Sequence, residues 1–347
     1  MRLRITPLIP LFLAFNSLYV VGLAGWATLF FLFGDRWWWM YFLNSFAQYF
    51  FVPLPVLVLI ALVVRKRIVW AGVAFVLVLG LAFYGDFLVP PLPRGQIDGS
   101  TLTVMTYNRL GFNRSTAGVA DMVRAAGADV ILFQELNPEV AAVLQRDLIA
   151  AYPYQELDPR DGVVGLGTIS RFPLQPIDIH LEGSWVGSPQ LLRLDFAGTP
   201  VTVLNFHTIP PAITSPFTPG AQDWMNGIIR ERERQSRVIG DLAKAHPGPF
   251  LAAGDLNAGD LSDAYAIITR SLKDAWREGG WGFGHTFPGA AMHGSSRPFI
   301  AGFYVPTWLV RIDYVFHSDH WQTVSARIGP WDGQSDHRPV LATLSLR

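Results

Sequence analysis

Acids, amides and imidazoles recur in this sequence at the ends of short apolar runs, where β-strands would deliver them to a common edge. Asn108 follows Thr103–Tyr107, Gln134 and Glu135 follow Val130–Phe133, and Asn205 and His207 close the run that starts at Val201. Asp255 and Asn257 close Phe250–Ala253, Asp313 lies within Arg311–Phe316, and Asp336 and His337 precede Val340–Leu346. Strand ends carrying such groups six times over make a site rather than a surface. Carboxylates with amides suit a hard cation that prefers oxygen and keeps part of its water, as magnesium does. Glu135, with Asn108 beside it, is the first candidate for a metal ligand. The competing readings are a turn role for Asn108 and a capping role for Glu135 ahead of the helix at Pro138. Asp255 and Asn257, two apart on an extended segment, point to one side. The chain has no cysteine, which excludes a disulfide scaffold, a zinc–thiolate site, an iron–sulfur cluster and a thiol nucleophile.

The elements that position these groups are short. Apolar β-type runs cover Leu102–Tyr107, Val130–Phe133, Leu191–Phe196, Val201–Phe206, Phe250–Ala253, Ile312–Phe316 and Val340–Leu346. Helical patterns lie between several of them, at Gly118–Ala126, Pro138–Ala151, Asn226–Ala245 and Asp260–Thr269. No internal repeat interrupts residues 101–347, enough chain for one large domain. Mixed order with many strands suggests an α/β sandwich of two sheets with helices outside.

Taken together and in this order, the strings from about residue 101 to 347 resemble the endonuclease/exonuclease/phosphatase superfamily. Singly, Asp-x-Asn or Ser-Asp-His is a weak signal. The resemblance implies a four-layer α/β sandwich, two packed mixed β-sheets flanked by helices, and Mg2+-dependent phosphoester hydrolysis, with Mn2+ as an alternative ion. It assigns metal binding to Asn108 and Glu135 and a further metal-side carboxylate to Asp336. Asp255 and Asn257 are similar to the pair that deprotonates and orients the attacking water. His337 is similar to the imidazole that meets the scissile phosphate, with Asp313 as its carboxylate partner, and His207 to a histidine that donates to a phosphate oxygen. Arg171, in Thr168–Pro173, and His285, in Gly284–Pro288, are weaker candidates for substrate contact. Arg171 has pairing with a carboxylate as its alternative, and His285 a plain loop role. His180, His246, His293, His317 and His320 have no partner in the sequence and are read as solvated.

The first 90 residues are of another kind. Half of the 347 residues are hydrophobic and 16% are charged, and the mean hydropathy is +0.28. The excess lies in three uncharged runs, Ile5–Gly34, Trp37–Val64 and Ile68–Gly85, the last extended by Phe87–Pro90. Each is long enough to cross a hydrocarbon core of roughly 30 Å, which takes about 20 residues as a helix. These runs predict three transmembrane helices in residues 1–90, a Pro-rich linker over 91–100 and the catalytic domain over 101–347. A cleaved signal peptide is the alternative for the first run, whose apolar stretch is about twice the usual length. Arg2, Arg4, Arg65, Lys66 and Arg67 flank the runs on one side, and the Trp37–Trp39 cluster suits an interfacial belt on the other. The positive-inside rule then puts the N-terminus in the cytoplasm and the domain outside the cytoplasmic membrane. At about 3.1 Å per residue the linker lifts the domain only some 30 Å.

The chain is neutral overall, but residues 1–90 hold six basic and two acidic side chains, which leaves 21 basic and 25 acidic beyond them. That net of −4 weighs against a binder of duplex DNA, which normally presents a basic surface. The leading reading is a membrane-tethered phosphoesterase acting on a phosphodiester or phosphomonoester, with a membrane lipid as one candidate substrate. The alternatives are an extracytoplasmic nuclease acting on DNA or RNA, and a catalytically inactive binding or scaffold protein. Two apolar loops, Ile209–Phe217 running on to Trp224, and Pro298–Trp308, either form a hydrophobic mouth facing the membrane or pack as covers over the core.

Overall fold

The structure is a computed structural model that describes residues 9–91, 99–211, 217–290, 297, 299–300 and 302–347. Arg2, Arg4, His293, most of the linker and parts of both apolar loops lie outside the described residues. The chain divides into two compact units, Met1–Val89 and Pro90–Arg347.

The first unit is helical: α1 (Ile9–Phe33), α2 (Trp38–Ser45), a 3-10 turn (Ala47–Phe51), α3 (Leu54–Val64) and α4 (Arg67–Leu88). Three stretches, Ile9–Phe33, Ala47–Val64 and Arg67–Leu88, are long and apolar enough to cross a membrane. They suggest a membrane protein. The second uncharged run is not the single helix expected from Trp37 to Val64. Pro53 and Pro55 cannot donate backbone hydrogen bonds to the preceding turn, so an unbroken helix ends before them. The broken geometry is held by Asn44, which accepts from the Trp26 indole at 3.1 Å and donates to the Gly34 carbonyl at 3.2 Å.

The second unit contains, in order, β1 (Thr101–Asn108), α5 (Val119–Ala126), β2 (Val130–Gln134), α6 (Pro138–Asp147), β3 (Tyr154–Asp158), β4 (Leu166–Ser170), β5 (Leu174–Pro176), β6 (Gln190–Phe196) and β7 (Thr199–His207). There follow α7 (Ala221–Ala245), β8 (Phe250–Asp255), α8 (Asp263–Ile268), β9 (Lys273–Asp274), α9 (Ala275–Gly279), β10 (Phe299–Ile300), β11 (Phe303–Tyr304), β12 (Asp313–His317), β13 (Trp321–Ile328) and β14 (Val340–Leu346). Two six-stranded sheets, ordered β13-β14-β1-β2-β4-β3 and β5-β6-β7-β8-β12-β9, pack together with helices around them. A separate hairpin pairs β10 with β11.

Each sheet has one parallel pair at its centre, β1 with β2 and β7 with β8, and otherwise antiparallel neighbours. A parallel pair needs a crossover, supplied by α5 in one sheet and α7 in the other. Apolar side chains of α5 and α6, among them Met122, Val123, Val140 and Leu144, form one core with Met105, Ile131 and Phe133 of the first sheet. The strands not anticipated from apolar runs include the sheet edges β3, β13, β5 and β9. An edge strand is partly solvated, so β3 reads Tyr-Gln-Glu-Leu-Asp and gives no apolar run.

Between the sheets runs a buried polar seam. The Gln134 amide donates to Asn205 Oδ1 at 2.8 Å, and Asn205 donates to the Phe133 carbonyl at 3.1 Å and to Gln190 Oε1 at 3.1 Å. Thr106 and Thr168 complete it, bonding Gln134 at 3.1 Å and Gln190 at 2.8 Å. Asn205→Ala leaves these groups buried without their partner, at a cost of ~1–3 kcal/mol. The expected result is a clear drop in thermal midpoint, and an unchanged midpoint would show that the seam contributes nothing to stability.

Candidate active site

The strand directions explain why the polar residues converge. Asn108 ends β1 opposite Gln134 at the end of β2, and His207 ends β7 opposite Asp255 at the end of β8. β12 runs the other way and starts at this rim, so Asp313 pairs with Asp255. Val340, which opens β14, pairs with Thr106, so the segment just before it, with Asp336 and His337, lies at the same rim.

Asn108 ties the two sheets together at the site. Its amide donates to Glu135 Oε1 at 3.1 Å and to Asp255 Oδ2 at 3.0 Å, while its own oxygen accepts from Leu110 N at 3.0 Å. Glu135 Oε2 accepts from Gly111 N at 2.9 Å. A Cβ at position 111 would lie 1.8 Å from the Gly162 carbonyl, so only glycine admits this approach. Glu135 and Asn257 both occupy the left-handed backbone region, at φ 55° and 51°. Such residues store about 1–3 kcal/mol of strain each, which the surrounding contacts must offset. Asn257 is fixed by its backbone N–H to Asp255 Oδ1 at 2.8 Å and its amide to the Thr208 carbonyl at 3.0 Å.

His337 stands among carboxylates. Nδ1 lies 2.9 Å from Asp313 Oδ2, and Nε2 lies 3.9 Å from Asp255 Oδ2 and 4.0 Å from Asp336 Oδ1. Burial favours the neutral ring, but the charges of Asp313, Asp255 and Asp336 outweigh it and push His337 up to about 10. His207 is 3.5 Å from Asp255 Oδ2, yet burial and the repulsion of His337 drive it down to about 3, so it is neutral. Burial and the neighbouring Asp313 raise Asp255 to about 7, against the pull of His337. Glu135 is half-buried; desolvation by the protein around it raises the carboxyl to about 7, opposed by the Gly111 and Asn108 hydrogen bonds.

The donor set fits a divalent cation. Asp255, Asp313 and Asp336 are buried and Glu135 is at the rim, so four carboxylates face one imidazolium. The buried Asp313 Oδ1 has no hydrogen-bond partner among the described residues. Oxygen-rich, anionic and partly open, the cluster has the chemistry that hard cations require. Asp255, Asp313 and His337 offer ligand atoms within 4.8 Å of one another. That trio is held by the imidazolium, however, and a histidine that binds metal must be neutral.

Two weaker candidates stand elsewhere. Arg171 follows β4, whose Ser170 pairs with Val130 at the start of β2, so it lies at the opposite rim. There it pairs with Asp129 at 3.1 Å and stacks over Tyr152, which corrects the reading of Arg171 as a substrate contact. His285 stacks on Phe283, and its carbonyl accepts from Arg338. His180 and His320 are exposed and His246 is partly so. His317 is not solvated as expected: it is buried in a bond to Thr323 Oγ1 at 2.8 Å and a pair with Glu278 at 3.1 Å.

Sequence reading missed the strap beneath the site. Asp332 pairs with the buried Arg109 at 3.3 Å, accepts from the Tyr107 hydroxyl at 2.7 Å and accepts from Gln334 N at 2.9 Å. Arg109 and Asn113 donate to the Gln334 carbonyl at 3.1 and 2.7 Å. Ser335 Oγ then donates to the Asn108 carbonyl at 2.6 Å and accepts from His337 N at 3.0 Å. The segment that carries His337 is thereby fastened to the end of β1. In sequence, Asp332 sits in Gly-Pro-Trp-Asp-Gly-Gln and gives no signal beyond a turn.

A family model described as the endonuclease/exonuclease/phosphatase family matches residues 105–337, and the chain belongs to that family. Its members are metal-dependent enzymes that hydrolyse phosphoesters, and this protein is a hydrolase of that class. The fold is similar to truncated Caenorhabditis elegans TDP2, at 19% identity and a TM-score of 0.52 over 71% of this chain and 97% of that one. It is also similar to an endonuclease/exonuclease/phosphatase from Bacteroides vulgatus, at 18% identity and a TM-score of 0.50 over 72% of this chain and 100% of that one. A functionally unknown conserved protein from Enterococcus faecalis V583 gives 17% identity and a TM-score of 0.50 over 71% of this chain and 100% of that one. No curated protein sequence matches the chain.

Two outcomes test this geometry. Protons compete with a cation for Glu135, so divalent-metal affinity should fall as pH drops through about 7, by about tenfold per unit for one proton displaced. Titration calorimetry between pH 5 and 8 checks it, and a flat profile would refute it. Asp332→Asn keeps the shape but removes the counter-ion of buried Arg109, and should cost ~3 kcal/mol. Where the variant is folded, kcat should fall more than KM rises; unchanged kcat would show that the strap does not position His337.

Proposed function

We propose that this protein is a membrane-anchored, Mg2+-dependent phosphoesterase that cleaves a phosphodiester or phosphomonoester outside the cytoplasmic membrane. The observation that carries the reading is the cluster of Glu135, Asp255, Asp313 and Asp336 around His337, bridged by Asn108. Glu135, Asn108 and Asp336 hold the ion, which when bound supplies charge neutralisation at the phosphoryl oxygens. Mn2+ is chemically able to take the same oxygen ligands.

Asp255 is the base. A carboxylate raised to about 7 is matched to accepting a proton from water near neutrality, and Asn257, locked onto it, orients that water. His337 is positively charged at neutral pH and offers Nε2–H to a phosphoryl oxygen, while Asp313 holds the ring in orientation and stabilises its charge through Nδ1. His207 is neutral and donates one N–H without adding charge. The extracytoplasmic location follows from the basic residues flanking the apolar runs, and the net of −4 beyond residue 90 weighs against nucleic acid as substrate.

The test is a substrate panel for the full-length chain with Mg2+, comparing bis-para-nitrophenyl phosphate, phospholipid, plasmid DNA and RNA. Glu135→Ala should lower turnover by about 100-fold or more, as loss of a group that stabilises developing charge does. Equal activity in the variant overturns the metal assignment. No turnover of any phosphoester by the folded wild-type protein overturns the catalytic reading and favours a binding role.

A further inference from the structure

Exposed aromatic side chains are distributed unevenly over the catalytic unit. Phe112 follows β1, Phe217 and Trp224 lie between β7 and the first turn of α7, and Phe299, Phe303 and Tyr304 belong to the hairpin that precedes β12. Each of these loops leaves or enters a strand at the rim that carries Asn108, His207 and Asp313. Phe217 is 92% exposed and Phe303 78%, values far from those of loops that cover a core. Outside these loops, Trp281 follows α9 at 65% exposed, and the opposite rim has Tyr154, which opens β3 opposite Ser170.

The hairpin is rooted beside the site. Trp308, just after it, packs under the Arg338 guanidinium at 4.4 Å and edge-on against Trp331 at 5.2 Å, and its N–H bonds to the Pro288 carbonyl at 2.8 Å. Gly289 N in turn donates to the Asp336 carbonyl at 2.6 Å. Within the hairpin, Phe299 and Tyr304 meet edge-to-face at 4.8 Å, and Arg297 lies over the Tyr304 ring at 4.6 Å.

We infer that this rim docks on the lipid bilayer, its aromatic side chains entering the interface so that the site opens onto a headgroup. Aromatic rings, with Arg close by, are the side chains favoured at the boundary between hydrocarbon and water, and soluble surfaces rarely gather so many on one side. The occupant is set by the chain itself, which carries three stretches long and apolar enough to cross a membrane. Insertion through rings needs no anionic lipid, in keeping with the net of −4 beyond residue 90. The substrate class that follows, a phosphoester in the headgroup layer of the membrane, rests on the phosphoesterase reading; the docking does not.

The chain has no cysteine, so Phe217→Cys, Phe303→Cys and the control Tyr154→Cys can each carry one environment-sensitive fluorophore in the full-length protein, in phosphatidylcholine nanodiscs. Labels at 217 and 303 should be quenched by nitroxide-bearing lipid tails, and the label at 154 should not. Equal quenching at the three positions, or quenching strongest at 154, overturns the docking whatever the enzyme turns over. In the same discs, Phe217→Ser with Phe303→Ser should lower turnover of a bilayer phosphodiester by about tenfold through lost interfacial binding and leave bis-para-nitrophenyl phosphate within about twofold. Equal loss on both substrates, or a loss confined to single-stranded DNA, overturns the lipid substrate class. Failure of wild type on every phosphoester overturns the catalytic reading and leaves the fluorescence result to stand or fall separately.

Discussion

Glu135, Asp255, Asp313 and Asp336 repel one another at close quarters, and much of the catalytic unit is arranged to hold them together. Three of these carboxylates are buried, where water cannot screen them. Asn108 takes part of the load by donating to Glu135 and Asp255 at once. His337 takes more as a cation with carboxylates on both ring nitrogens. Burial first, and then the charges of Asp336 and Asp313, raise the carboxyls of Glu135 and Asp255. A divalent cation would relieve the cost of holding these groups charged away from water, so their raised proton affinity and the suitability of the cluster for a metal have one origin.

The paired architecture makes this crowding feasible. Each sheet contributes one parallel pair, and the ends of all four strands meet at one rim, with antiparallel β12 starting there. Between the sheets, Gln134, Asn205, Gln190 and two threonines hydrogen-bond. A purely apolar interface would tolerate small slips between sheets, whereas directional bonds fix the registration on which the Asn108–Asp255 contact depends. The strap from Asp332 to Ser335 does the same for the segment bearing His337. Strain at Glu135 and Asn257 is the local consequence, since both side chains are aimed by backbone turned into the left-handed region.

What could be read from the sequence had a local cause. An apolar run ending in an acid, amide or imidazole reports a strand that leaves the core, so the residues at the rim and their order were legible without a structure. The three uncharged runs were legible as well, because crossing a hydrocarbon core demands length and apolarity whatever the neighbours. The edge strands were less visible for the converse reason: half solvated, β3 carries polar residues and imitates a loop.

Tertiary structure decided what depends on pairing between distant segments. Arg171 and Glu135 lie close in sequence pattern, but the antiparallel register of β4 with β2 carries Arg171 to the far rim and onto Asp129. His317 resembled any surface histidine until Glu278 and Thr323 closed over it. Asp332 resembled a turn until Arg109 and Tyr107 converged on it from β1 and the residue just beyond it. The second apolar run was long enough for one helix, but its prolines and the Asn44 bonds divided it. The sequence by itself determined the donor types and their order along the chain, since these depend on residue identity and local polarity. Which groups share a proton, a charge or a rim was decided only in three dimensions, because those properties depend on separations of a few ångströms that strand register alone sets.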